Sequence, residues 1–237
     1  ASGLGPAPFP SAPAELAAAS PPSPSSPTAR PLEYPDSDGQ RMADNTEHFA
    51  FIQMVQGNLS SVRDDFVWGD LLWYPVEGHP EIRVAPDVLV AVGRPRGHRG
   101  SYRQWEEQGV PLTVVFEWWS PNAAFPQMLK KYRFYDRHGV TEFITFDQRS
   151  RELNAWRRIK GVLEPVSTEG GYESEVLGIR MDVVQGDFKA WHTDGRPFLT
   201  WEELEAERKA VTAERDAALE RAAALEARLQ AMGISLD

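Results

Sequence analysis

The pattern of apolar and polar positions changes its period several times along the chain. In residues 45–62 the apolar positions recur at the spacing of one helix face, after Asn45 or Thr46, either of which suits an N-cap. The repeating residues are Phe49, Ile52, Val55 or Gln56, Leu59 and Val62. This segment is therefore predicted to form a helix of about four turns.

Three short segments that follow are almost continuously apolar, rich in β-branched and aromatic residues, and bounded by proline or glycine. They are residues 66–75, 86–92 and 112–119. Such segments predict strands that are buried on both faces of a sheet. A second helix is predicted for residues 126–139, because Pro126 suits a first helical turn and Gly139 suits a helix end.

Alternating stretches continue the strand pattern towards the C-terminus. Strands are predicted at residues 142–147 and 152–159, and a hairpin is predicted to join residues 178–184 to residues 187–192. The order is helix, three strands, helix, strand and then more strands. It predicts an α/β sandwich around one mixed sheet.

The last segment, residues 200–237, has the pattern of one long helix. Thr200 and Glu203 have the spacing of a capping box. A seven-residue repeat contains Leu204, Val211, Ala218, Leu225 and Met232. The companion register contains Trp201, Arg208, Arg215, Ala222 and Leu229, so two arginines interrupt it. The repeat predicts a homo-oligomer, a dimer through residues 201–232; the alternative is a helix that folds back on its own domain.

The N-terminal segment differs in composition from the rest. Residues 1–31 consist mainly of proline, alanine and serine, with few large apolar side chains that could offset the entropy lost on ordering. We expect a disordered arm here. The predicted organisation is thus this arm (1–31), a folded domain (32–199) and the C-terminal helix (200–237).

Composition narrows the possible chemistry. The 237 residues contain no cysteine, which excludes disulfides, thiolate metal sites and a cysteine nucleophile. The histidines show no metal-ligand spacing, so His48, His98 and His138 are expected at the surface or in turns. The longest apolar runs fall short of the roughly 20 residues that a membrane-spanning helix requires. We therefore expect a cytoplasmic protein with no membrane partner.

Charge is distributed unevenly, and the net formal charge is −10. Residues 33–87 carry 11 acidic and 3 basic residues, whereas residues 93–160 carry 13 basic and 7 acidic residues. The acidic total argues against a simple basic coat for nucleic acid. The asymmetry fits a metal-carboxylate site beside a polyanion-binding surface, and it fits equally two faces of one protein that attract each other.

Predicted core strands contain acidic residues, which is costly unless the charge is paired or binds a metal. Asp87 and Glu117 lie at or near the ends of their strands, and Asp70 occupies a similar apolar setting. Oxygen ligands of this kind suit magnesium. A capping or salt-bridge role is the alternative for each acid alone, whereas three acids on successive strands favour a metal site.

A lysine completes this set of candidate residues. Lys131 lies on the helix after the Glu117 strand, where it could lean back over the end of that strand. An ammonium group there would stabilise developing negative charge or orient an attacking water. The alternative is a solvated helix face, which is the interpretation that we prefer for Lys130.

Six stretches resemble a known family. PDVLVAVGRPRGHRGSYRQWEE, VVFEWWSPN and KYRFYDRHGVTEFITFD are similar to stretches of the Uma-two family of restriction endonucleases, in the PD-(D/E)XK nuclease superfamily. YPDSDG, NTEHF and GDLLWYPVEG match its long form. Each motif alone is weak, but the six occur in order and with matching spacing. The resemblance covers about Tyr34 to Trp201.

The resemblance implies a restriction endonuclease-like fold and a magnesium-dependent site, in which manganese could substitute. It assigns Asp87 and Glu117 to the two acidic motifs, as catalytic and metal-binding residues. The family has usually lost the lysine two positions after the second acid, and here Trp119 stands at that position. The helix residue Lys131 would replace that lysine.

The resemblance also implies further members of the site. Glu47 matches the acid that the superfamily often places on its first helix, with Asp44 as a competitor, and Asp70 is a conditional metal ligand. Family members often have an acid where this chain has Gln127, so we assign no metal role to that position.

The loop at residues 93–109 is rich in arginine and aromatic residues. It contains Arg94, Arg96, Arg99, Tyr102, Arg103 and Trp105. Arginines bind phosphates and aromatic rings stack on bases, so the four arginines and Tyr102 could clamp DNA beside the metal. The alternative is a surface loop whose arginines pair with nearby acids.

Two function hypotheses from different classes remain. The first is a magnesium-dependent DNA endonuclease that acts through Asp87, Glu117 and Lys131. The second is a non-catalytic DNA-binding or assembly module that keeps the fold and oligomerises through its C-terminal helix. The intact set of acids and lysine favours the first hypothesis, whereas the acidic net charge favours the second.

Overall fold

The structure, a computed structural model, describes residues 32–121 and 123–232. It contains the predicted helices, but five strands instead of the predicted three lie between the first two of them. The arm predicted for residues 1–31 and the end of the predicted last segment, residues 233–237, lie outside the described residues. In the described part of the chain, no helix combines the length and the apolar character that crossing a bilayer requires.

The described residues form three helices and eleven strands. The helices are α1 (Thr46–Val62), α2 (Phe125–Arg137) and α3 (Trp201–Ala231). The strands are β1 (Asp65–Gly69), β2 (Trp73–Tyr74), β3 (Val88–Pro95), β4 (Tyr102–Arg103), β5 (Val114–Trp119), β6 (Glu142–Asp147), β7 (Glu152–Ile159), β8 (Val162–Val166), β9 (Tyr172–Ser174), β10 (Ile179–Val184) and β11 (Asp187–His192).

A six-stranded mixed sheet in the order β1-β3-β5-β6-β7-β8 forms the centre. Strands β5 and β6 are parallel, and the other neighbouring strands of this sheet are antiparallel. A parallel pair needs a crossover connection, which α2 supplies. The predicted α/β sandwich with a mixed central sheet is therefore confirmed.

Side chains of the central strands alternate between two cores, one on each face of the sheet. Val88, Val90 and Phe116 belong to the core that α1 covers, whereas Leu89 and Val115 pack on the face covered by α2. Enclosure on both faces explains why these strands are almost continuously apolar.

The predicted hairpin belongs to a second sheet. Strands β10 and β11 pair as expected, but β9 joins them in a separate three-stranded sheet that packs against the α1 side of the core. The expectation of one mixed sheet was therefore wrong in this respect. Alternation specifies which residues of a hairpin face inwards but not which sheet the hairpin joins.

The predicted helix α1 is present, and Asn45 is its N-cap. Its buried face differs from the prediction, because Phe49 and Val62 are exposed, whereas the polar residues His48 and Asn58 are buried. The apolar pattern alone did not predict this face, because the side chains of His48 and Asn58 are buried through hydrogen bonds to the backbone.

The strand predicted at residues 66–75 is interrupted. It divides into β1 and β2 at Asp70, whose φ of 49° is left-handed. Aspartate is one of the residues that adopt this conformation more readily than most. The turn places Asp70 next to the start of β3, where its backbone N–H donates to the carbonyl of Asp87 at 3.2 Å.

The long C-terminal helix α3 is present with its predicted capping box of Thr200 and Glu203. The buried amide of Asn58 fixes its start, donating to the carbonyl of Leu199 at 2.8 Å and accepting from the Leu199 N–H at 3.1 Å. None of Trp201–Ala231 is buried against the described residues. Self-association through this helix stays a prediction.

Candidate active site

Glu117 is a carboxylate enclosed in the middle of the central sheet. Its strand β5 is paired on both edges, with β3 and with β6. The alternation of side chains directs Glu117 to the face that α2 covers, and the residue is 1% exposed. An ionised group in such a place is unstable without partners, so its neighbours decide its charge.

Two partners of Glu117 come from one face of α2. Lys131 donates from Nζ to Oε2 of Glu117 at 2.6 Å, and the Tyr135 hydroxyl donates to Oε1. Lys131 and Tyr135 are four residues apart, so both project from the same side of the helix. The crossover helix therefore holds each oxygen of the buried carboxylate with its own donor.

These contacts set the charges at neutral pH. Burial raises the pKa of the Glu117 carboxyl to about 7, against the opposing effect of the Lys131 ammonium. Burial disfavours the Lys131 cation, but the carboxylates of Glu117 and Asp87 outweigh that effect and raise the pKa of Lys131. Burial also raises the pKa of the Tyr135 phenol well above its ordinary value. Lys131 is thus cationic and Tyr135 neutral, while Glu117 titrates near neutrality.

Asp87 lies directly before β3, at the predicted strand end. Its Oδ2 accepts a hydrogen bond from the backbone N–H of Trp118 at 2.5 Å, on the neighbouring strand β5. The pairing of β3 with β5 thus brings Asp87 beside the residue that follows Glu117. The sequence predicted that these two acids lie close together, and both line the same cleft.

His48 also contacts Asp87, which the sequence did not suggest. Its Nε2 lies 2.9 Å from Oδ2 of Asp87, without the alignment of a straight hydrogen bond. Its Nδ1 accepts from the backbone N–H of Asp44 at 3.2 Å, so the ring proton of the neutral form lies on Nε2, facing the carboxylate. The ring is buried and stacks on Trp118. The expectation of a surface or turn residue was wrong.

Asp87, Glu117 and Lys131 line one open cleft of about 630 Å³, together with Asp70 and His48. Burial raises the pKa of Asp70, and the charges of Asp38 and Asp87 raise it further, against the effect of Lys131. Asp70 is therefore a third carboxylate of the cleft, and its charge interacts with those of Asp87 and Lys131.

Glu47 is not among the residues that line this cleft. Its carboxylate accepts from Gln148 at 2.9 Å and lies 3.5 Å from Arg151, beside a different depression. Asp44, the competing acid, does line the cleft. Asp44 precedes α1, and its backbone N–H donates to Nδ1 of His48, the helix residue that contacts Asp87.

The predicted DNA-binding loop does not line the cleft either. Arg94 and Arg99 both bind Glu107, at 3.0 and 2.5 Å, and Glu107 is buried. Hydrogen bonds from Arg99 and Arg94 lower the pKa of Glu107, although burial opposes them. Arg96 lies 3.8 Å from Asp64. These arginines thus pair with acids, as the alternative interpretation expected.

Tyr102 is buried, so the expectation that it contacts DNA was wrong. Its side chain is 0% exposed, and its hydroxyl donates to the carbonyl of Val110 at 2.9 Å. It forms part of β4, which pairs with β2, so it cannot stack on a nucleic-acid base. Arg103, next in the chain, is partly exposed and lies near Glu106 and Asp36.

Other basic residues occupy the cleft instead. Arg41, Arg83 and Lys130 line it together with Lys131. Neither Arg41 nor Arg83 was expected at this place, and Lys130 was expected on a solvated helix face. Lys130 is indeed exposed, but it also lines the cleft together with Lys131. Lys130 could have been predicted to line the cleft, because it is four residues from Phe134 on the same face of α2, whereas the two arginines lie in irregular segments.

The residues fit a magnesium ion by the chemistry of their donors. Within residues 32–121 and 123–232, no three His, Asp or Glu side chains are grouped closely enough to enclose a metal. Magnesium does not require such a cage, because proteins usually hold it by one or two carboxylates, with waters and substrate phosphates as further ligands. Asp87 and Glu117 are two hard oxygen donors in a cleft that is open to water and phosphate.

The chain is similar to a solved structure and to one family model. A solved structure described as "a putative nuclease belonging to DUF820 from Anabaena variabilis ATCC 29413" matches 56% of this chain and 74% of its own, with 13% identity and a TM-score of 0.42. No curated protein matches the chain. The model of the Uma2 family, described as "Putative restriction endonuclease", matches residues 45–183, more than half of the 237 residues. The chain belongs to the Uma2 family.

Proposed function

We propose that the chain is a magnesium-dependent endonuclease that hydrolyses phosphodiester bonds of DNA in the cleft of Asp87 and Glu117. The observation that carries the proposal is that Asp87, directly before β3, Glu117 on β5 and Lys131 on α2 all line one cleft. Membership of the Uma2 family supports a nuclease-like function. The metal, the DNA substrate and the residue roles below are parts of the proposal.

Asp87 and Glu117 are the residues that would hold magnesium, or manganese in its place. A bound divalent ion activates water as a nucleophile and neutralises charge on the scissile phosphate. The chain itself holds the two carboxylates in place. Trp118 and His48 orient Asp87, and Tyr135 orients Glu117. Fixed oxygens lower the cost of assembling the site during the reaction.

Lys131 acts on the substrate side of the site. Its side chain is 34% exposed, whereas that of its partner Glu117 is 2% exposed, so the ammonium lies between the core and the cleft. A cation in this position donates hydrogen bonds to the attacking water or to a phosphate oxygen as negative charge develops there.

The charge of the cleft explains how an acidic protein could bind DNA. Five carboxylates and four lysine or arginine side chains line the cleft, so without a metal it is slightly negative. A divalent ion would make it net positive and thus attractive to a phosphodiester. Arg41, Arg83 and Lys130 are then placed to contact backbone phosphates on either side of the cleaved bond.

Cleavage of supercoiled plasmid DNA with magnesium, manganese or a chelator tests the proposal. The wild type should nick or linearise the plasmid with either metal, and Asp87→Asn or Glu117→Gln should abolish cleavage. Glu142→Gln is the matched control, because Glu142 is a buried acid on the neighbouring strand β6 that does not line the cleft. Absence of cleavage by all proteins, or full cleavage by Glu117→Gln, would refute the proposal.

The alternative, a non-catalytic DNA-binding or assembly module, is favoured by one observation. Both oxygens of Glu117 already have donors, Lys131 and Tyr135, as expected for a purely structural carboxylate. A mobility-shift experiment beside the cleavage assay distinguishes the endonuclease from this alternative. A non-catalytic module would bind the plasmid and leave it intact with every metal.

A further inference from the structure

Helix α3 carries apolar side chains that the rest of the described chain leaves exposed. None of its residues is buried in the described structure. Its exposed large apolar residues are Trp201, Leu204, Val211, Leu219 and Leu225, with Met232 at its C-cap. Helices in water gain most of their stability by packing such residues against a partner.

We propose that the partner is a second copy of α3, packed in the antiparallel direction. The seven-residue repeat of Leu204, Val211, Ala218, Leu225 and Met232 supplies one row of the interface. Trp201, Arg208, Arg215, Ala222 and Leu229 supply the adjacent row. The two rows lie side by side on one face of the helix, as the heptad spacing requires.

The two arginines decide the direction. In a parallel pair each residue of a row faces its own copy, so Arg208 would face the partner's Arg208 and Arg215 the partner's Arg215. Like charges would then meet twice inside the interface, which is costly. In an antiparallel pair one row faces the other, and Arg208 lies against the partner's Leu225, where its long aliphatic stem can pack.

One antiparallel register satisfies the whole length of the helix. It pairs Trp201 with the partner's Met232, Arg208 with the partner's Leu225, Arg215 with the partner's Ala218, Ala222 with the partner's Val211, and Leu229 with the partner's Leu204. Each arginine thus lies opposite an apolar residue, and the remaining layers are apolar on both sides. The helices overlap completely, so no apolar layer is left uncovered.

The residues that flank the rows support the same register. Glu207 and Glu214 lie in the N-terminal half of α3, and Arg221 and Arg228 lie at equivalent heptad positions in the C-terminal half. In the antiparallel register Glu207 flanks the partner's Arg228, and Glu214 flanks the partner's Arg221. By two-fold symmetry this arrangement gives four attractive pairs, against two repulsive contacts between Glu205 and the partner's Glu226.

A parallel pair would use these charges poorly. Glu207 and Glu214 would then flank the partner's Thr212 and Leu219, which cannot pair with them. Single surface ion pairs contribute little. The choice of direction therefore depends on the buried arginines first and on the sum of the flanking pairs second.

Light scattering of the full chain gives the first test. The wild type should have the mass of a dimer, and Val211→Glu with Leu225→Glu should reduce it to a monomer. The matched control is Ala213→Glu with Ala227→Glu, which adds the same charges on the outer face of α3 and should remain dimeric. Because these positions are exposed in the single chain, neither variant should unfold the domain. A monomeric wild type would overturn the proposal.

Cysteine crosslinking tests the direction, and the absence of native cysteine makes each introduced thiol unique. In the antiparallel register Val211 faces the partner's Ala222. Val211→Cys mixed with Ala222→Cys should therefore crosslink on oxidation, as should the double variant. Either single variant alone should crosslink poorly, because its two thiols would lie about 16 Å apart along the axis. Efficient crosslinking of Val211→Cys alone would show a parallel pair and overturn the proposal.

Discussion

The Nζ of Lys131 lies 2.6 Å from Oε2 of Glu117, and this contact connects the enclosed carboxylate of β5 to the open cleft. Burial raises the pKa of the Glu117 carboxyl, and the Lys131 ammonium opposes that effect. Lys131 in turn is kept cationic by Glu117 and Asp87. The two residues thus stabilise each other's charged forms at the place where a substrate would bind.

Replacing Lys131 by alanine should separate metal binding from catalysis. We expect Lys131→Ala to reduce the cleavage rate about 10²–10³-fold, because a donor aimed at developing charge is lost. The carboxylates remain, so magnesium should still raise its melting temperature. Lys160→Ala, in an exposed turn outside the cleft, is the control and should cleave normally. A Lys131→Ala variant that cleaves within a few-fold of wild type would show that this ammonium has no catalytic role.

The raised pKa of Glu117 predicts a stability that depends on pH in the metal-free protein. The folded chain holds this proton up to a pH of about 7, whereas the unfolded chain releases it near its ordinary pKa of about 4.3. The folded state therefore binds more protons in this interval, and stability falls as pH rises through it. Glu117→Gln cannot titrate and removes this contribution.

Thermal melting in metal-free buffer measures the effect. The melting temperature of wild type minus that of Glu117→Gln should decrease between about pH 5 and about pH 8. The difference between the two proteins cancels the titration of the other groups that they share. A difference that is constant over this range would mean that Glu117 keeps an ordinary pKa.

His48 should affect the site through the orientation of Asp87. We expect His48→Ala to weaken magnesium binding about 10–100-fold, the usual effect of losing a residue that positions a metal ligand. His48→Gln keeps an N–H donor of similar reach and should recover part of the affinity. Phe49→Ala changes an exposed neighbour and is the control. If His48→Ala loses stability but binds magnesium like wild type, the residue serves only the fold.

Glu107 should be essential for the stability of the arginine-rich loop and not for cleavage. Its loss leaves Arg94 and Arg99, both largely buried, without their acid. We expect Glu107→Ala to cost up to about 3–5 kcal/mol in denaturant unfolding. Glu106→Ala removes an exposed partner of Arg103 and should cost about 0–1 kcal/mol. Equal costs for the two variants would contradict the buried network.

The proximity of Asp87, Glu117 and Lys131 could be predicted because it follows from the order of the elements. Asp87 and Glu117 are acidic residues in predicted strands that are otherwise apolar. The observed strands β3 and β5 pair directly with each other. The helix after β5 must cross over to reach the parallel strand β6, which returns Lys131 to the Glu117 side of the sheet. Local sequence and chain connectivity were sufficient here.

Contacts between distant segments could not be predicted. Tyr102 stands among glycines and arginines, and its burial depends on a two-residue pairing of β4 with β2. In the sequence, His48 resembles a solvated helix residue, because nothing local indicates its contact with Asp87. The sequence could not show that Asp44 lines the cleft and Glu47 does not, because Asp44 precedes α1 and is held by the contact of its backbone N–H with His48.

Thermal melting with and without magnesium tests the central claim most directly, since it does not depend on knowing the DNA sequence that is cut. Two carboxylates that hold a metal repel each other without it, so magnesium should raise the melting temperature of wild type. The same increase is expected for Glu142→Gln, and no increase for Asp87→Asn or Glu117→Gln. In metal-free buffer, Glu117→Gln should be nearly as stable as wild type or more stable. Strong destabilisation of Glu117→Gln, together with a wild type that does not respond to magnesium or manganese, would contradict the metal site.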